Sequence, residues 1–426
     1  MKQFQIYLRQ NQTIWEKLGP GLITGAADDD PSGIATYSQV GAAFGYGMLW
    51  TAFLTFPLMV GIQVVSANIG RVTGHGLAAN IRNHYSPWLL RGLVGLLLLA
   101  NTINIAADVG AMGAALKLLI GGPAHLYAIA FGVVSLVLQV FVPFPRYSPI
   151  LKALTLALFA YVGTVFVVKV PWGEVFYKTI IPSVSFSTEY AIGVVAVFGT
   201  TISPYLFFWQ ASQEVEEQRA AKGEEPLKAA PEQARSSLHR IKVDSYVGMG
   251  FSNLVAFFIM LTAAVALHQH GVTDIQTSAQ AAEALRPLAG KYAFWLFAAG
   301  IVGSGLLAVP ILAGSAAYAV AEASGWPIGL GRQLRQARGF YMIVAVATLL
   351  GVALNFTPVD PIKALFLSAV INGVIAVPIM VVIMFMAART DVMGHFVINL
   401  RLRILGWLAT TVMAIAVLTM FVTWVR

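Results

Sequence analysis

Three consecutive aspartates, Asp28, Asp29 and Asp30, are followed at once by Pro31 and Gly33 in the stretch ITGAADDDPSGIATYS, residues 23–38. Carboxylates beside two helix breakers can bind a cation, since the side chains bring negative oxygens and an interrupted helix brings free main-chain carbonyls. A second interruption stands in VVAVFGTTISPYLFFWQASQEVEE, where Gly199 and Ser203-Pro204 break another apolar run. Asn101, Asn104 and Asp108, in ANTINIAADVG, recur at i, i+3 and i+7 and share one helix face. Thiol chemistry is excluded, because the 426-residue chain has no cysteine. No phosphate-cradling Gly-Lys-Ser/Thr motif occurs, so ATP-driven work within this chain has no basis.

The elements that must hold these residues are apolar. The chain is 58% hydrophobic and 11% charged, against about 25% charged in a soluble domain. Its long apolar runs suit a bilayer, which takes roughly 20 residues to cross. We therefore expect an all-α polytopic membrane protein with about 11 spans, near 20–43, 46–69, 88–120, 124–143, 149–170, 189–214, 243–268, 291–322, 339–356, 361–388 and 403–425. The third and eighth are long enough to tilt or to project beyond the membrane. No removable signal peptide is expected. The net charge of +8 is a topology signal: 20 of the 27 Lys and Arg fall in segments that share one side if the N-terminus is cytoplasmic. That puts the C-terminus outside, suits a plasma (inner) membrane location, makes the lipid bilayer a partner and removes nucleic acid as one. Residues 214–242 read as a solvated, partly helical loop without a further folded domain.

The two interruptions fall in spans 1 and 6, each the first of a block of five. Unwound backbone survives in a membrane only where protein or a water-filled cavity satisfies it, and matching breaks in two halves mark the midplane site of an inverted-repeat transporter. Proline kinks alone are common, but carboxylates within spans are costly and usually functional. Asp30 abuts the break. Asp28 and Asp29 are possible pathway residues, with snorkelling toward water an equal account for one of them. Interhelical hydrogen bonding would explain Asn101 and Asn104 as well as a polar path does. Gln210 and Glu214 follow Ser203 at helical spacing and could line an inner vestibule, although a solvated helix end explains them more simply. His268 and His270 stand at an outer helix end with no third ligand nearby.

At these residues the chain resembles the Nramp divalent-metal transporters, from Gly19 through the eleventh span and including FGYGMLW after the first break. The family's D-P-G-N signature aligns with Asp30, Pro31, Ser32 and Gly33, and its M-P-H signature with Ser203, Pro204 and Tyr205. The resemblance implies a leucine-transporter-like fold of two inverted five-helix repeats with helices 1 and 6 broken. Its parts would be a cytoplasmic segment 1–18, repeats at 19–172 and 189–388 (the second with a cytoplasmic loop at 215–242), and an eleventh span in 403–426. It also implies metal contacts at Asp30, Gly33, Ser203 and the carbonyls near Ala27 and Thr200, with Asn372 close to a polar metal-shell position. Asp108 resembles an acidic residue of the family's proton route.

The departures have chemical content. The family's Asn, Met and His are replaced by Gly33, Ser203 and Tyr205, leaving only oxygen donors. Such sites suit hard cations, and Mg²⁺ keeps several of its waters; the smaller side chains should leave room for them. This resembles the Nramp-related magnesium-transporter branch. The expectation is a secondary transporter or facilitator importing divalent cations, Mg²⁺ first and Mn²⁺ second, with no cofactor and no enzyme activity. Proton coupling is not expected, because Tyr205 replaces a histidine that can titrate near neutral pH. The alternatives are a proton-coupled Mn²⁺/Fe²⁺ transporter, a trivalent-ion carrier, a sodium-coupled organic-solute carrier and an intramembrane aspartyl hydrolase. The hydrolase would want carboxylates facing each other from separate helices, whereas this cluster is contiguous. No sequence feature sets an oligomeric state, and a monomer suffices.

Overall fold

The computed structural model describes residues 20–142, 146, 156–221, 223–357 and 360–425, and every regular element among them is a helix. The first expected span is two helices, α1 (Pro20–Asp28) and α2 (Pro31–Phe44). Next come α3 (Trp50–Thr73), the short α4 (Leu77–His84), α5 (Pro87–Ile120), α6 (Ala124–Phe141), α7 (Phe159–Val167) and α8 (Trp172–Ile180). The sixth expected span is likewise split, into α9 (Thr188–Thr201) and α10 (Pro204–Ala220). The chain continues through α11 (Ala234–Ala266), α12 (Ala293–Ser324), α13 (Arg338–Leu354), α14 (Pro361–Ala388) and α15 (Leu400–Val425).

Eight helical stretches are long and apolar enough to cross a membrane, and 156–167 and 338–354 are shorter apolar helices. With the broken α1/α2 pair they correspond to the expected spans. Residues 1–18 and 149–155, parts of two sequence expectations, lie outside the described residues. One boundary differs substantially. Residues 214–242 are mostly helix, because α10 runs on to Ala220 and α11 already starts at Ala234. Arg240 ties these projecting ends together by pairing with Glu214 and, at 3.0 Å, with Glu217. Charges that read as solvated loop are therefore the mortar between two helices.

Both breaks have the same cause. A proline has no N–H, so the carbonyl four residues earlier loses its helical partner. Pro31 frees Ala27 O and Pro204 frees Thr200 O in this way. The residue before each proline is extended, Asp30 at φ −69°, ψ 171° and Ser203 at φ −81°, ψ 131°. Each helix then restarts with proline at a first-turn position, where a missing N–H costs nothing.

Glycines let the broken helices lie against their supports, backbone on backbone. α1 packs on α11, where a Cβ at Gly25 would overlap the Gly248 carbonyl; α9 packs on α14, where one at Gly199 would overlap Ala369 O and Gly373. The Asp244 carboxylate of α11 also accepts Gly21 N at 2.6 Å and Leu22 N at 3.0 Å, capping α1 from a neighbouring helix. Gly25→Val should force α1 from α11, an overpacking cost of about 1–3 kcal/mol, seen as a lower melting temperature in detergent. Gly92→Ala, where a Cβ meets nothing within 4 Å, should leave that temperature unchanged.

Candidate cation site

The two breaks meet, and hydroxyl groups join them. Tyr37 Oη of α2 lies 2.9 Å from Thr201 Oγ1 of α9, and Ser32 Oγ lies 3.4 Å from Thr200 Oγ1. The Asp30 carboxylate is divided between two tasks. Its Oδ1 accepts Ser32 Oγ at 2.7 Å and Gly33 N at 2.8 Å, which caps α2. Its Oδ2 faces the Tyr205 hydroxyl at 3.4 Å, and that hydroxyl donates to the freed Ala27 O at 3.0 Å. Ser203 Oγ stands 2.8 Å from both Gly199 O and Thr200 O, so its proton serves one of them at a time.

The electrostatics of this junction are one-sided. Asp28, Asp29, Asp30 and Asp108 are each at most 2% exposed. No ion pair among the described residues involves any of them. Neither Asp28 nor Asp29 snorkels to water: Ser252 Oγ of α11 lies 2.6 Å from Asp28 Oδ2 and 3.1 Å from Asp29 Oδ1. Asp108 is within electrostatic reach of Asp30, and the described residues give its two oxygens no hydrogen-bond partner. The same holds for both amide atoms of Asn104 and of Asn372, while Asn101 Nδ2 donates to Leu312 O at 2.9 Å. Asn372 adjoins Gly373, which packs on Gly199 at the second break. Clustered carboxylates and orphaned polar atoms without a basic partner form a site that favours positive charge.

Such a junction of two broken helices has relatives. The family model described as Natural resistance-associated macrophage protein-like, Nramp, matches residues 21–423. The chain belongs to the Nramp family. Similar curated proteins include the divalent metal cation transporter MntH of Acidiphilium cryptum, 26% identical over 397 residues that cover 89% of this chain and 84% of that one. MntH of Deinococcus radiodurans is 28% identical over 409 residues, with coverage of 93% and 87%. In fold, the chain is similar to the manganese transporter of Eremococcus coleocola, with TM-score 0.72, 18% identity and coverage of 96% and 86%. Mhp1, a nucleobase-cation-symport-1 family transporter in a closed conformation, gives TM-score 0.56, 14% identity and coverage of 95% and 92%. The architecture is thus the leucine-transporter-like one expected, consistent with an inverted repeat.

Within that fold, several sequence expectations change. The Nramp aspartate and both prolines stand at the junction, but no roomy pocket surrounds Gly33. A Cβ there would meet Asp28 O at 3.1 Å, the Tyr37 ring at 3.3 Å and Thr200 Oγ1 at 3.4 Å. Neighbours have closed over the missing side chain. Gln210 and Glu214 are not at a solvated helix end, because both are fully buried. Gln210 bonds Gln63 of α3 at 2.5 Å and Ser245 of α11 at 3.0 Å. His268 binds Ala42 O through Nδ1 at 2.6 Å, and no group of three or more His, Cys, Asp or Glu suited to a metal occurs among the described residues. Ser252, Gln63 and Ser245 went unnoticed in the sequence; lone polar residues inside apolar spans were their only signal.

Toward the end of the bundle that carries α4, hydrogen bonds join α12 to α10 and α4 into a seal. Ser315 Oγ of α12 donates to Tyr205 O at 2.8 Å, and Gln213 Nε2 bonds Tyr318 Oη at 3.2 Å. Tyr318 also donates to Glu216, which accepts Leu330 N at 2.9 Å. Glu322 knots three helices, accepting Ala79 N of α4 at 3.1 Å and Ser212 Oγ of α10 at 3.2 Å, while Arg82 donates to its main-chain carbonyl at 2.6 Å. Removing it strands buried donors, each worth about 1–3 kcal/mol. Glu322→Ala should therefore loosen the seal. In a Ser203→Cys background, otherwise free of cysteine, maleimide labelling from that side should speed up several-fold.

Proposed function

We propose that the protein transports divalent cations through this junction by alternating access, with Mg²⁺ as the first substrate, Mn²⁺ as the second, and no proton coupling. Family membership supports the coarse part, a membrane transporter of divalent metal ions and not an enzyme. The finer part rests on one observation, the divided carboxylate of Asp30: one oxygen builds the helix and the other remains for an ion. In this reading the oxygens of Ala27, Thr200 and Ser203 complete the set, Asn372 and Asp108 add polar groups, and Gly33 is the backbone donor that fixes Asp30. None is a thioether, imidazole or thiolate, and an all-oxygen set suits a hard ion.

In this reading the repeats run over 19–172 and 189–388, the N-terminus and the sealed α4 end are cytoplasmic, and α15 leads to an outer C-terminus in the plasma membrane. Opening the seal releases the ion inward. Asp28 and Asp29 keep the approach negative. Asp30→Asn keeps an oxygen to cap α2 but removes the charge, so it should abolish Mg²⁺ uptake into proteoliposomes while the melting temperature stays near the parent's. Undiminished uptake by that variant would remove the centre of the proposal.

A second reading is proton-coupled Mn²⁺ transport, its metal favoured by the similar manganese transporter and its proton by Asp108, a buried carboxylate within electrostatic reach of Asp30. Tyr205 speaks against it, since an ordinary tyrosine titrates near pH 10 and cannot exchange a proton in each cycle at neutral pH. An inside-negative potential of 100 mV alone favours entry of a divalent ion by about 4.6 kcal/mol, twice the single-charge value. Imposed potential should then drive Mg²⁺ into proteoliposomes with no acidification of the lumen. An internal pH change that follows Mg²⁺ entry, and vanishes in Asp108→Asn, would establish the coupled reading instead.

A further inference from the structure

The Tyr205 hydroxyl stands where the oxygens of the site converge. Pro31 leaves Ala27 O without a helical partner, and Asp30 Oδ1 is consumed by Ser32 and Gly33, so Ala27 O and Asp30 Oδ2 are acceptors of the first break that its own helix leaves free. Tyr205 Oη lies 3.0 Å from the former and 3.4 Å from the latter. Its one proton can serve either, and Ala27 O is the nearer acceptor. The two lone pairs of the phenol oxygen receive no hydrogen bond from any described residue. In an octahedral oxygen shell with Mg–O of about 2.0–2.1 Å, adjacent ligand oxygens are about 2.8–3.0 Å apart, and they spread to about 3.3 Å when the bonds lengthen to 2.3 Å. The Tyr205 oxygen is thus spaced from both acceptors as an adjacent ligand would be, to within a few tenths of an ångström.

Tyr205 is also held for such a role. It follows Pro204 in the first turn of α10, its side chain is buried, and its own carbonyl accepts Ser315 Oγ at 2.8 Å. The hydroxyl crosses from the second broken helix to the first, so it spans both halves of the junction.

We propose that the Tyr205 hydroxyl oxygen is a direct ligand of the transported divalent cation, an inference that rests on the Asp30 site described above. In the ion-free protein its proton holds Ala27 O in place. When the ion enters between Ala27 O, Asp30 Oδ2 and Tyr205 Oη, the O–H turns away and the oxygen presents a lone pair. No proton is transferred and the ligand stays neutral. A neutral phenol oxygen on a rigid ring is a hard donor, and the residue thereby sets selectivity toward hard ions.

The test is calorimetric titration of the purified full-length protein with Mg²⁺ and with Mn²⁺, for the parent, Tyr205→Phe, Tyr205→His and Asp30→Asn. Tyr205→Phe removes one oxygen and keeps the ring. It should weaken Mg²⁺ binding on the order of ten-fold, and the loss of the proton on Ala27 O should also lower the melting temperature of the ion-free protein. Mg²⁺ affinity equal to or tighter than the parent's would overturn the proposal, since a merely structural hydroxyl would alter melting and not affinity. Tyr205→His supplies a nitrogen donor and should move the Mn²⁺/Mg²⁺ preference toward Mn²⁺ by on the order of ten-fold or more. Should Tyr205→Phe fail to fold, an unchanged preference in Tyr205→His overturns the proposal by itself. Loss of binding in Asp30→Asn with full binding in Tyr205→Phe sinks the tyrosine's role alone. Retained binding in Asp30→Asn sinks the site as a whole.

Discussion

The missing N–H of two prolines is the constraint on which the rest depends. In an apolar medium a free carbonyl is expensive, and Pro31 and Pro204 each create one in the middle of a span. The fold answers with hydroxyls, Tyr205 on Ala27 O and Ser203 on Thr200 O. The two answers are not equivalent. Ser203 serves its own helix, whereas Tyr205 reaches across to the other half. One break is thus repaired locally and the other by its counterpart, which is why the two broken helices form a single junction.

Around that junction negative charge accumulates without positive charge to offset it. The basic residues pair elsewhere, Arg240 with Glu214 and Glu217, Arg71 with Glu224 at 2.8 Å. These pairs bind helix ends at the α4 end of the bundle and leave the Asp28–Asp30 run to Ser252, Ser32, Gly33 and Tyr205. Buried carboxylates held only by hydroxyls and amides are costly in the absence of a cation. The scaffold must therefore be rigid enough to keep them buried. Backbone contacts at Gly25, Gly248 and Gly199, together with Asp244 at the start of α1, supply that rigidity.

The seal at the α4 end gives the junction a direction. Ser315, Tyr318 and Glu322 lie three, then four residues apart on α12, so they form one face, and that face meets α10 from Tyr205 to Glu216. The first contact of the series is the carbonyl of Tyr205 itself. The residue that bonds Ala27 O is consequently also the first rung of this ladder, and movement of α10 must disturb both contacts together.

Much of this was legible in the sequence, for physical reasons tied to particular residues. Apolar run lengths dictate helices in a membrane, and a proline removes a donor wherever it stands, so the spans and the breaks at Pro31 and Pro204 needed no coordinates. The retained Asp30 and the absence of a thioether or imidazole at positions 203 and 205 were likewise readable from the chain. Tertiary structure decided what spacing along a chain cannot express. Gln210, Glu214 and the charges of 214–242 looked solvated because they are polar at the end of an apolar run; only the arrival of Gln63, Ser245 and Arg240 from other helices buries them. The space expected beside Gly33 depended on side chains 4 and 167 residues distant, and Tyr37 and Thr200 fill it. The pairing of Tyr205 with Ala27 and Asp30 joins residues more than 170 positions apart. A sequence names the donors and acceptors, but which hydroxyl reaches which carbonyl is fixed by the crossing of helices, and here that crossing makes the site.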